Sequence, residues 1–132
     1  MKRKCDLVFK SPDGKRAIYI DRINEPEINS YLRLDDQHKR AFQKFVNLFL
    51  NGLHNPDIYK REDINEFCKD VTVIRFFVGH DNDRLYCKEI RKGSHIIITI
   101  MSVLHLRKTT QKNKGREIKS IETVASYEYE IE

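Results

Sequence analysis

The sequence predicts an α+β fold, a curved antiparallel sheet packed against helices with an N-terminal β-hairpin extension. Three observations predict it. Two apolar-alternating runs flank a Ser-Pro-Asp-Gly turn at residues 11–14. One amphipathic helical stretch fills residues 35–52. Three β-rich runs lie between residues 71 and 106, joined by short connections that favour antiparallel neighbours. With 132 residues the chain is the size of one domain, and residues 1–132 are read as a single one.

The elements follow in order. Cys5–Lys10 and Lys15–Asp21 read as the hairpin strands, because Pro12 presets one turn dihedral and Gly14 supplies a positive one. Pro26 suits the first turn of a short helix ending near Leu32. Around Asp35–Gly52, Ala41, Phe42, Phe45, Val46, Phe49, Leu50 and Leu53 recur at helical spacing. Asp35 or Asp36 can cap the start, and Gly52 can take the left-handed position at the end. Phenylalanines at this spacing read as core.

Val71–Val78 is apolar and β-branched, and Arg84–Arg91 alternates. The alternation puts Arg84, Tyr86, Lys88 and Ile90 on one face and Leu85, Cys87, Glu89 and Arg91 on the other. Lys92-Gly93 makes a tight turn into the long strand Ser94–Leu106. After a basic loop, Lys114–Tyr129 reads as a last helix with Ile118, Ile121 and Ala125 inward, helped by Val124 and Tyr129.

Composition excludes several classes. No run approaches the roughly 20 apolar residues of a membrane span. The basic start lacks the apolar stretch of a secretory signal. The three cysteines contain no Cys-x-x-Cys, so neither a disulfide framework nor a zinc ribbon is suggested, and the expected compartment is the reducing cytoplasm.

The charge is uneven. Arg84–Lys119 holds ten basic residues against Glu89 and Glu117, a net +8 within a chain of net +5, so the remainder carries −3. Such a local basic field attracts polyanions, nucleic acid foremost. The plainer alternative is a solvated cationic surface.

The last two strands and the following loop put Arg84, Lys88, Arg91, His105, Arg107, Lys108 and Lys112 near one edge, with Tyr86 among them. Cations with an interleaved aromatic suit single-stranded RNA. They also suit its metal-free cleavage, which needs a base for the 2′-hydroxyl, an acid for the leaving 5′-oxygen and cations for the phosphorane. His105 is the side chain here that titrates near neutrality, and Arg84 and Arg107 could clamp phosphate. The plainer reading of His105 is a hydrogen-bonded strand-end residue, and of Arg75 a buried ion-pair partner. His80, Asp81 and Asp83 look faintly metal-like, but their spacing fits no common site and a solvated turn is the expected reading.

The C-terminal half resembles the RelE/ParE superfamily of bacterial type II toxins, in particular its HigB-like branch. The resemblance rests on Val73-Ile74-Arg75, Asp83-Arg84-Leu85-Tyr86, the strand Ile96–Met101, the segment Leu104-His105-Leu106-Arg107-Lys108-Thr109-Thr110-Gln111-Lys112, and Arg116-Glu117-Ile118 opening the last helix. It implies an mRNA interferase, an endoribonuclease that cuts mRNA in the ribosomal A site without a metal or other cofactor. Its partners would be mRNA, the ribosome and a cognate antitoxin, often of the helix-turn-helix type. Arg84, His105, Arg107 and Lys108 match family site positions, with Tyr86 as stacker or second proton-transfer group. Arg75, Lys88, Arg91, Lys112, Lys114 and Arg116 would grip flanking RNA. Val71 and Val73 stand where RelE members carry lysines, so a second-strand lysine mechanism is not implied. Two other readings stay open: an RNA- or antitoxin-binding module without catalysis, and a ParE-like gyrase inhibitor.

Overall fold

The computed structural model describes residues 2–62, 64–77, 83–93, 95–106 and 114–131. In chain order the elements are β1 (Arg3–Lys10), β2 (Arg16–Asp21), α1 (Glu25–Leu32), α2 (Asp36–Leu50), β3 (Tyr59–Arg61), a 3₁₀ turn (Glu66–Cys68), β4 (Val71–Arg75), β5 (Arg84–Lys92), β6 (Ile96–His105), α3 (Lys114–Ser126) and β7 (Tyr129–Glu130). The architecture is α+β, as the sequence predicts: helices pack on a curled sheet of strand order β3-β4-β5-β6-β2-β1-β7.

Local chemistry accounts for most boundaries. Pro26 sits in the first turn of α1. The Asp35 side chain accepts a hydrogen bond from the His38 backbone at 2.8 Å and caps α2. Gly52 closes that helix with φ of 69°, and Gly93 makes the β5–β6 turn with φ of 62°. β4, β5 and β6 form the expected antiparallel meander.

The sheet is mixed, however. β2 runs parallel to β6, and β7 runs parallel to β1. The segment from α1 to β3 carries the chain from β2 to the far edge. The meander then returns and lays β6 beside β2 in the same direction. The hairpin is thereby built into the sheet, with β2 among its central strands.

Alternate residues face opposite layers. Leu85 and Cys87 of β5 join Ile28, Phe45, Phe49, Ile74 and Met101 under α1 and α2. Tyr86 faces the other way and packs with Val71, Val73, Ile121 and Val124 under α3. A third cluster, Ala17, Ile98, Ile100 and Tyr129, joins β2, β6 and β7.

Two further readings of the last segment change. The helix ends at Ser126 instead of Tyr129, because Tyr129 is drawn into that third cluster as part of β7. Ile118 is 43% exposed, while Ile121, Val124 and Ala125 form the inward face.

A buried polar hub ties the layers. Asp21, wholly buried, accepts from Arg3 Nε at 2.7 Å, from the Asn24 backbone at 2.9 Å and from the Tyr129 hydroxyl at 2.7 Å. Burial pushes its carboxyl up, but these partners, led by Arg3, outweigh burial and hold it below the usual carboxylate value. The Asn24 side chain then donates to the Ser102 carbonyl at 2.7 Å, joining the start of α1 to β6. Among the described residues, no helix is long and apolar enough to cross a membrane.

Candidate functional site

Register brings the first predicted residues together. Arg75 of β4 lies opposite Arg84 of β5, and Arg84 lies opposite His105 of β6. Opposed residues in an antiparallel ladder share a face, so the three form one row across the end of the meander. Below them runs a second row, Val73, Tyr86 and Val103. A bulge between Tyr86 and Cys87 in that ladder leaves Ser102 as the extra residue of β6.

The row ends at a groove of about 530 Å³. One wall is the end of β6, from Val103 to Leu106. The opposite wall is α3, which contributes Arg116, Lys119, Thr123 and Tyr127. Asn24 and Glu27 of the α1 segment close the third side. His105 therefore lines a cleft in which two cations, Arg116 and Lys119, stand one helical turn apart. A cleft of this kind suits a polyanionic strand laid along α3.

Arg84 is more constrained than a free phosphate clamp. Its side chain is 18% exposed, and Nη1 lies 3.8 Å from Glu62 Oε1. An incoming phosphate would compete with Glu62 for it. Tyr86 is wholly buried, with its ring centroid 6.3 Å from that of His105. As placed, it cannot stack on a base. Burial holds its phenol well above the ordinary value, and the nearby Glu117 adds to the shift, with the Arg84 charge opposing. Such a phenol is a poor source of a mobile proton at neutral pH, so neither role expected of Tyr86 fits its position.

Lys88 shares the Arg84 face, but its ammonium donates to the Ala125 carbonyl at 2.8 Å. It caps the C-terminal end of α3 instead of reaching toward RNA. Arg91 lies on the opposite face, seven residues and roughly 23 Å along β5 from Arg84. There Arg91 Nη2 pairs with Glu89 Oε1 at 3.2 Å. Arg75 is half-buried in the row, Arg116 is exposed on the groove, and Lys114 opens α3. Arg107, Lys108 and Lys112 lie outside the described residues, as do His80 and Asp81 of the metal-like loop. Asp83 of that loop accepts from the Tyr31 hydroxyl at 3.0 Å.

Sequence reasoning missed Lys119, Glu27 and Glu62. Lys119 carried a usable signal, since it stands three residues after Arg116 on a helix. Glu62 carried none, because it sits beyond a three-residue strand whose pairing no periodicity reveals.

No family model, no curated protein and no solved structure matches this chain.

Proposed function

We propose that the protein is a toxin of the RelE/HigB kind, a metal-independent endoribonuclease that cuts mRNA on the ribosome and is restrained by a cognate antitoxin. The observation that carries this reading is the β5–β6 register, which sets Arg84 directly opposite His105 beside a groove walled by Arg116 and Lys119. Histidine beside arginine supplies two of the groups that cleavage through the 2′-hydroxyl asks for, a proton acceptor and a cation.

In this reading, RNA lies along the groove with one phosphate over the Arg75–Arg84–His105 row. His105 takes the proton of the 2′-hydroxyl as that oxygen attacks phosphorus. The bond to the 5′-oxygen breaks and that oxygen leaves with a proton from water, while Lys108 stabilises the developing charge. The products are a 2′,3′-cyclic phosphate and a 5′-hydroxyl. Arg84 and Arg107 hold the phosphorane charge, and Arg116 and Lys119 hold the flanking strand. Such work belongs in the cytoplasm, where mRNA and ribosomes are.

The test is induction from a tight promoter with mapping of cellular mRNA 5′ ends within minutes. The expected result is growth arrest with new ends inside translated frames, both lost in His105→Ala. A second reading, an RNA- or antitoxin-binding module without catalysis, draws on two observations: Glu62 already occupies Arg84, and Tyr86 is buried. Salt-sensitive RNA affinity with no new ends would favour it.

A further inference from the structure

The outer edge of β1 is half used. β7 pairs with it only at Arg3 and Lys4. Beyond them, Asp6, Leu7, Phe9 and Lys10 pair inward with β2 around a bulge at Val8, and no strand among the described residues pairs with their outer side. An open edge of this length offers backbone donors and acceptors to another chain. The bulge at Val8 bends this edge, yet it still carries Leu7 at 52% and Phe9 at 39% exposure.

Beside the open edge lies a second groove of about 460 Å³, between the hairpin and the helices. Its apolar floor is Val8, Phe9, Leu32 and Phe42, with the Phe9 and Phe42 rings 6.3 Å apart. Arg33 and Lys39, both exposed, stand on its rim, and no acidic residue lines it among the described residues. Lys10, also exposed, ends the strand.

We propose that this edge and groove form a docking site for an extended segment of another protein that alternates apolar and acidic residues. Its backbone continues the sheet along Asp6–Lys10, its apolar side chains enter the Val8–Phe42 floor, and its carboxylates meet Arg33, Lys39 and Lys10. The chain's own end shows the chemistry that this edge accepts. In Tyr-Glu-Tyr-Glu-Ile at residues 127–131 apolar and acidic residues alternate, and Glu130 pairs opposite Lys4 on the same strand.

The site is remote from the first groove. Phe9 registers with Ile18 and Ile18 with Thr99, six residues and roughly 20 Å along β6 from His105. A partner bound here tethers the protein without filling the His105 groove. The proposal is independent of the nuclease reading.

The test is an NMR titration of the full chain with the peptide (Val-Glu)₄ and, in parallel, (Val-Lys)₄. The acidic peptide should shift and protect the amides of residues 6–10, 33, 39 and 42, with an affinity that falls as salt rises. The basic peptide should bind at least about tenfold more weakly. Phe9→Asp should weaken the acidic peptide by a similar factor. The double variant Arg33→Glu/Lys39→Glu, both on exposed positions, should reverse the preference between the peptides. Equal binding of the two peptides, or shifts confined to other residues, would overturn the proposal. So would a concentration-dependent dimer that protects residues 6–10 and excludes the peptide, which would make a second copy the occupant.

Discussion

Replacing Asp21 by Asn should destabilise the protein more than any surface change. The side chain is wholly buried and gathers Arg3, the Asn24 backbone and the Tyr129 hydroxyl from three separate segments. The amide keeps the shape but loses the charge, and it turns an N–H₂ toward groups that donate. Removing one partner of a buried pair costs about 3–5 kcal/mol. Arg3 remains partly exposed and can rehydrate, which argues for the lower end, about 3 kcal/mol. For a chain of this size that is roughly a 10 °C fall in Tm.

The sign with pH follows from the lowered carboxyl. Its stabilisation is fully present above the ordinary carboxylate value, near pH 4, and drains away as pH falls through the lower folded value. Urea unfolding of wild type and Asp21→Asn at pH 7 and pH 3 should therefore show a gap that narrows on acidification. A variant within about 1 kcal/mol of wild type at pH 7 would refute the reasoning, as would a gap that widens in acid.

Four shorter expectations follow. Tyr86→Phe should leave RNA cleavage within about threefold of wild type in a kinetic assay, since a buried phenol neither stacks nor exchanges protons; a hundredfold loss would restore Tyr86 to the site. Lys88→Met should lower stability by about 1–2 kcal/mol in urea titration by uncapping α3, with RNA affinity unchanged. Arg116→Ala/Lys119→Ala should weaken RNA binding across sequences and reduce its salt slope by roughly 2, read by fluorescence anisotropy. A maleimide reagent should label Cys5 before Cys68 or Cys87 in the native state, because those two are buried and burial pushes Cys87 up to about 12.

The parts of the fold legible in the sequence were those with local causes. The turn at Pro12–Gly14, the Asp35 cap, the phenylalanine stripe of α2 and the alternation of β5 each reflect neighbours within one turn or one strand. Strand partners were not legible. Nothing local marks β2 as lying beside β6, or Tyr129 as leaving a helix to reach Asp21, 108 residues away. The same division holds at the site. The Arg84 face was readable from period-two alternation, and so was its separation from Arg91 on the other face. The diversion of Lys88 to the Ala125 carbonyl, and of Arg84 to Glu62, depends on contacts that only the packed layers create. Burial of Tyr86 has the same origin, because it requires α3 to lie over that face.

The central claim is that His105 and Arg84 act together on RNA. Its most direct measurement is cleavage of a defined mRNA on purified translating ribosomes by wild type, His105→Ala and Arg84→Ala, with no metal beyond what the ribosome needs. The account predicts fragments ending in 2′,3′-cyclic phosphate with wild type, and a loss of at least about a hundredfold in either variant while RNA binding persists. Cleavage that survives both substitutions, or wild-type protein that binds translating ribosomes and cuts nothing, would contradict it.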